Sequence, residues 1–188
     1  MRLTERQGKI RMGIGIENYR EMREKGNYYV DKTRLIAEYL EAEDKVTLLM
    51  RPRRFGKTLN MSMLAEFFDI TKDSADIFEG TEIMGTKWVS EMNQYPVISL
   101  SFANARGDSE DFLFRFLASE VRKEYMRYEF LWEEKKVSEN MGRELSKIYD
   151  SLWNREKPDG GDNIAESLTE LCSALEWYYG KKVKVFID

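Results

Sequence analysis

Apolar residues follow two different periods along this chain, and each period predicts a different kind of element. Short runs that are continuously apolar or alternate with polar residues are typical of buried strands, and they occur at 46–50, 97–102 and 182–188. Between these runs, apolar residues recur every three to four positions, as on the buried face of an amphipathic helix. The helical patterns cover 17–25, 31–41, 57–69, 108–128, 139–153 and 163–180.

Strands that alternate with helices predict an α/β fold with a mainly parallel sheet. In such sheets, ligands bind beyond the carboxyl ends of the strands. The last predicted strand ends on Asp188, the final residue, so the chain stops where the functional surface is expected. We therefore expect residues 14–188 to be the N-terminal portion of a longer domain, with 1–13 as a polar lead-in and a loop at 157–161.

The composition excludes several kinds of chemistry. The 188 residues include no histidine and one cysteine, which excludes Ser-His-Asp and Cys-His catalysis and zinc sites built from these ligands. Carboxylate, lysine and magnesium-phosphate chemistry remain. The net charge of −4 argues against a general nucleic-acid coat protein. No apolar run is long enough for a membrane helix, and the single cysteine suits a reducing cytoplasm.

A short motif joins the first apolar run to the helical pattern that follows it. Gly56, Lys57 and Thr58 directly open that helical pattern. In phosphate-binding loops of this kind, the glycine lets backbone amides approach a phosphate, the lysine reaches the β- and γ-phosphates, and the hydroxyl ligates Mg²⁺. The helix that begins here would direct its free N–H groups and the positive end of its dipole at the anion.

The spacing of this motif differs from the common phosphate loop. The common loop has a further glycine at the position that Arg51 occupies here. An alternative interpretation is therefore a basic surface turn between a strand and a helix. Arg53 and Arg54 fit both interpretations, because they either are solvated or add positive charge beside phosphates. The residues expected to contact a nucleotide at the loop are Arg53, Arg54, Phe55, Gly56, Lys57, Thr58 and Leu59.

The last predicted strand looks like the second half of a nucleotide site. Its apolar residues lead into Asp188, and in phosphate-loop enzymes the aspartate at this place holds Mg²⁺. We predict Thr58 and Asp188 as metal ligands, and Lys57 and Asp188 as catalytic residues. The alternative is an ordinary strand that ends in an aspartate. The hydrolytic glutamate expected directly after Asp188 has no position in this chain, so we expect this chain by itself to bind ATP but to hydrolyse it poorly.

Several segments carry a more specific pattern, which extends over essentially residues 13–188. They read IGIENY at 14–19, YYVDKT at 28–33, LLMRPRRFGKT at 48–58, FEG at 78–80, YPVISLSF at 95–102 and YYG at 178–180, followed by the final strand. With these segments the chain resembles the AAA-ATPase-like proteins of bacteria and archaea. The segment RPRRFGKT is that family's own form of the phosphate loop, so Arg51 matches the family.

The resemblance implies a P-loop fold with three αβα layers, ATP and Mg²⁺ as cofactors, and ATP hydrolysis in the longer relatives. It places Tyr29, Asp31 and Lys32 near the nucleotide; the alternatives are core packing for Tyr29 and a helix cap for Asp31. Relatives often carry a C-terminal nuclease-like domain of the restriction-endonuclease superfamily. Such a domain and nucleic acid are therefore candidate partners beside ATP and ADP. We expect a further strand, from sequence after Asp188, to separate the two motif-bearing strands.

Three functions fit the sequence. The first is an ATPase module. The second is a module in which ATP occupancy controls contact with a partner or nucleic acid, with little turnover. The third is a scaffold without nucleotide, whose arginine-rich loop binds a phosphorylated partner or nucleic acid. Magnesium-dependent ATP binding that requires Lys57 distinguishes the first two from the third, whereas salt-dependent nucleic-acid binding without Lys57 favours the third. The oligomeric state stays open.

Overall fold

The six helical patterns of the sequence each form a helix. The computed structural model describes residues 12–50, 52, 55–103, 105–107, 109–153 and 162–188. The described helices are α1 Tyr19–Glu24, α2 Arg34–Ala42, α3 Lys57–Phe68, α4 Ala75–Phe78, α5 Glu110–Arg127, α6 Phe130–Glu133, α7 Glu139–Trp153 and α8 Asp162–Tyr179. None of these described helices is long and apolar enough to cross a bilayer. The chain divides into two compact units, 1–97 and 98–188, which we call the N-terminal unit and the C-terminal unit.

Helix α3 is the centre of the N-terminal unit, and its C-terminal half is buried on all sides. Phe67 packs edge-on against Phe68 and Phe78, with ring centroids 5.1 and 5.3 Å apart. Tyr19 of α1 lies against Phe78, with ring centroids 4.9 Å apart, and its backbone N–H donates to the Ser62 hydroxyl over 3.0 Å. Tilted and edge-to-face aromatic pairs of this kind add to the stabilisation from burial. The aromatic cluster therefore fixes α1 against α3.

One charged residue, Glu66, lies within this buried half of α3, and its side chain is 2% exposed. Its carboxylate accepts hydrogen bonds from Arg20 Nη2 at 2.6 Å and from Lys72 Nζ at 2.8 Å. The Ser74 hydroxyl is a third donor, at 2.8 Å. Burial by itself raises the pKa of Glu66, but the hydrogen bonds from Lys72 and Arg20 hold that pKa below its usual value. This Glu66 cluster links α1 and the segment after α3 to the helix.

Two 3-10 helices, Glu82–Gly85 and Lys87–Glu91, lie against α2. Thr33, the N-cap residue of α2, is fully buried, and its hydroxyl accepts a hydrogen bond from the backbone N–H of Ile83 over 3.2 Å. Trp88 is half-buried, and its indole Nε1 donates to the Glu41 carboxylate of α2 over 3.3 Å. Contacts at both ends of α2 therefore hold it in place.

Helices α5, α7 and α8 pack around the apolar core of the C-terminal unit. Its buried residues include Val121, Tyr125, Tyr128, Leu131, Leu145, Leu171 and Leu175. The predicted stripe of apolar residues along 113–128 is confirmed at its C-terminal end, where it faces this core. Helix α5 begins after Ser109, whose hydroxyl accepts a hydrogen bond from the Phe112 N–H over 3.2 Å. The predicted start at Asp108 and the predicted loop at 157–161 lie outside the described residues.

Two of the three predicted strands form, as β1 Val97–Leu100 and β2 Lys184–Ile187, and they pair with each other. The Asp188 N–H donates to the Leu100 carbonyl over 3.0 Å, and the Asp188 carbonyl accepts from the Phe102 N–H over 2.6 Å. Asp188 thus bonds to Leu100 and Phe102, the two residues on either side of Ser101. This is the hydrogen-bond pattern of two parallel strands. The structure is thus a mixed helix and strand fold with a small parallel sheet, which is compatible with the predicted α/β class.

The predicted strand at 46–50 does not form. Its alternate side chains Val46, Leu48 and Met50 are 86%, 76% and 81% exposed. An extended segment becomes a strand only when a neighbour pairs with its N–H and C=O groups, and no described residue pairs with this segment. The apolar composition of the run is strand-like, but it has no neighbouring strand within the described part of the chain.

Replacing Tyr125 with phenylalanine is expected to lower the free energy of unfolding by about 1–2 kcal/mol. Tyr125 is fully buried, and its hydroxyl donates to the backbone carbonyl of Ser167 in α8 over 2.8 Å. Tyr19→Phe is the matched control, because the buried Tyr19 hydroxyl has no hydrogen-bond partner among the described residues. Its removal is expected to cost less than about 0.5 kcal/mol. Urea denaturation followed by circular dichroism measures both changes, and equal losses would contradict the role of the Tyr125 hydroxyl.

Candidate functional site

The predicted phosphate loop ends on a glycine with unusual backbone geometry. Gly56 is the N-cap residue of α3, with φ of 72° and ψ of 33°, in the left-handed region that residues other than glycine rarely adopt. Its carbonyl accepts the first backbone hydrogen bond of the helix, from the Asn60 N–H over 2.9 Å. A Cβ atom added to Gly56 would lie 3.4 Å from the Lys32 ammonium. The left-handed backbone therefore favours glycine at this turn into the helix, and the Lys32 ammonium lies beside it.

The start of α3 has no side-chain cap hydrogen bond within the described part of the chain, because its N-cap residue is a glycine. The N–H groups of a first helical turn have no partner inside the helix, so they are donors that a ligand can use. The positive end of the helix dipole lies at the same place. Lys57 is exposed, whereas Thr58 and Leu59 are half-buried. The exposed Phe55 precedes them, and Arg53 and Arg54 lie outside the described residues.

The segment that the sequence predicts beside the loop does contact it. The Lys32 ammonium donates a hydrogen bond to the backbone carbonyl of Phe55 over 3.3 Å. The Tyr29 hydroxyl accepts from the Lys32 N–H and donates to Met63 Sδ of α3, each over 3.2 Å. The ring of Tyr29 packs edge-on against Tyr19, 5.2 Å between centroids, and burial raises the pKa of Tyr29 to about 12. Tyr29 is therefore half-buried and packs against the core of the N-terminal unit.

Asp31 uses both carboxylate oxygens to hold the backbone. Its Oδ1 accepts from the Thr33 N–H over 2.8 Å, and its Oδ2 accepts from the Glu82 N–H over 2.7 Å. The alternative prediction that Asp31 caps the helix is wrong, because α2 begins at Arg34 and its N-cap residue is Thr33. The bond to Glu82 accounts for the difference, since it holds Asp31 before the first helical turn. Asp31 fixes the turn that leads into α2.

Asp188 belongs to the C-terminal unit. It directly follows β2, its backbone N–H and carbonyl both take part in the parallel pairing, and its side chain is half-buried. The prediction of an apolar strand that leads into this aspartate is confirmed. Among the described residues, no group of three or more histidine, cysteine, aspartate or glutamate side chains is placed to hold a metal ion.

The Glu66 cluster is the main feature of the N-terminal unit that the sequence analysis did not identify. It fixes the C-terminal half of the helix whose other end carries the glycine and lysine of the loop. A signal is visible in the sequence, because Glu66 is a single carboxylate within the apolar stretch 63–68 of a predicted helix. A charge at a position that faces the core requires a buried partner. The identity of the partners, 46 positions away for Arg20 and 6 for Lys72, is not visible in a local pattern.

The chain belongs to the predicted AAA-ATPase family, whose sequence model, described as "Predicted AAA-ATPase", matches residues 13–188. The family indicates an ATPase-like function with nucleotide binding. A protein of Azotobacter chroococcum mcd 1, described as "Uncharacterized protein in vnfD 5'region", is 34% identical over 93 residues. That match covers 49% of this chain and 17% of the relative. No solved structure matches the chain.

Proposed function

We propose that this chain binds ATP together with Mg²⁺ at the N-terminus of α3. The observation that carries the proposal is the left-handed Gly56, which opens a helix with no side-chain cap among the described residues and with Lys57 and Thr58 in its first turn. This helix end combines backbone N–H donors, the positive end of the helix dipole and the long, flexible side chain of Lys57. Such a combination suits a phosphate chain. Membership of the AAA-ATPase-like family supports ATP as the nucleotide.

The proposed roles follow from the side chains. Lys57 contacts the β- and γ-phosphates, and the Thr58 hydroxyl ligates Mg²⁺. Arg53, Arg54, Phe55 and Leu59 are proposed to contact the nucleotide, and Tyr29 and Asp31 are proposed to support the loop from the segment before α2. Asp188 is proposed as the second protein ligand of Mg²⁺ because it ends an apolar strand. Bound Mg²⁺ would neutralise charge that develops on the phosphates.

The residue types that we propose, one hydroxyl and one carboxylate, are types that Mg²⁺ accepts as ligands. Mg²⁺ at phosphate sites takes one or two protein ligands, with substrate phosphates and waters as the others. A single hydroxyl and a single carboxylate therefore suffice, and a preformed cluster of acidic groups is not required. We further propose that the domain has the P-loop three-layer αβα architecture and that ATP is hydrolysed in the longer protein. A regulatory module that binds ATP with little turnover is the competing proposal.

Calorimetric titration of Mg²⁺-ATP into the folded protein tests the proposal. We expect binding by the wild type and at least about tenfold weaker binding by Lys57→Met, since a charge-assisted hydrogen bond contributes about 1.5–3 kcal/mol. Lys45→Met is the matched control, because Lys45 is also an exposed lysine of the N-terminal unit, and it should bind ATP as the wild type does.

Three outcomes distinguish the candidate functions. Binding with hydrolysis supports the ATPase, and binding without hydrolysis supports the regulatory module. Absence of ATP binding by the folded wild type, or equal binding by the wild type and Lys57→Met, contradicts the site. In that case, salt-dependent binding of nucleic acid that persists in Lys57→Met would favour the scaffold whose arginine-rich loop binds phosphate groups of a partner.

A further inference from the structure

We draw no further inference here: the strongest candidate, the exposed apolar face of Val46, Leu48 and Met50 in the segment between α2 and α3, carries none, because nothing in the described part of the chain shows what covers it.

Discussion

Replacing Phe67 with alanine is expected to lower the free energy of unfolding of the N-terminal unit by about 3–5 kcal/mol. Phe67 is fully buried in α3 and packs against the rings of Phe68 and Phe78. The truncation removes apolar contacts and leaves a cavity that rigid helices can only partly fill. Urea denaturation followed by circular dichroism measures the loss.

The control for Phe67→Ala is Leu48→Ala, since the side chain of Leu48 is 76% exposed. A surface truncation of this kind is expected to change the free energy of unfolding by less than about 0.5 kcal/mol. A loss below about 1 kcal/mol for Phe67→Ala would show that the aromatic cluster is not close-packed. Because α3 also carries Gly56 and Lys57, we expect Phe67→Ala to weaken Mg²⁺-ATP binding only through the fraction of molecules that are unfolded.

Replacing Glu66 with glutamine is expected to cost about 2–3 kcal/mol at neutral pH. This is less than the roughly 3–5 kcal/mol expected for a fully buried ion pair, because the side chains of Arg20 and Lys72 are 30% and 38% exposed and can be partly solvated when they lose their partner. The same change is expected to remove a pH dependence of the free energy of unfolding.

The pKa of Glu66 is lowered in the folded state from the ordinary value of 4.5. The ionised Glu66 carboxylate therefore stabilises the fold fully above that value, and this stabilisation is lost as the pH falls through the folded-state pKa.

The stability difference between wild type and Glu66→Gln should therefore be largest at about pH 7 and shrink below about pH 4.5. Urea denaturation at a series of pH values checks this. Glu24→Gln is the matched control, because Glu24 pairs with the same Arg20 over 3.3 Å but is 55% exposed, and it should cost less than about 0.5 kcal/mol. A difference between wild type and Glu66→Gln that does not change with pH would contradict an ionised Glu66 in the folded state.

Elements with a local signal could be predicted from the sequence. Helix α7 has the predicted bounds of 139–153, and α3 begins at the predicted Lys57, because periodicity and a terminal glycine are properties of adjacent residues. Whether a strand forms at 46–50 could not be predicted in this way, since a strand requires a pairing partner elsewhere in the chain. Its apolar run predicts a tendency to extend and contains no information about whether a neighbour pairs with it.

The candidate site also combines features that have a local sequence signal with features that depend on residues far apart in the chain. The start of α3 directly after Gly56 follows from the Gly-Lys-Thr motif, whereas the bond between Asp31 and Glu82 spans 51 positions and has no local signature. The cap predicted at Asp31 is wrong for this reason. The ligand contacts of Lys57, Thr58 and Asp188 stay predictions, as do a nuclease-like domain and contact with nucleic acid.

The contact between Trp88 and Glu41 also gives the N-terminal unit an intrinsic optical reporter. Of the four tryptophans in the sequence, Trp88 is the one within residues 1–97. Its half-buried indole is hydrogen-bonded to α2, so its fluorescence emission shifts when α2 separates from the 3-10 helices. A chain with phenylalanine at the other three tryptophan positions would therefore report the opening of the N-terminal unit alone.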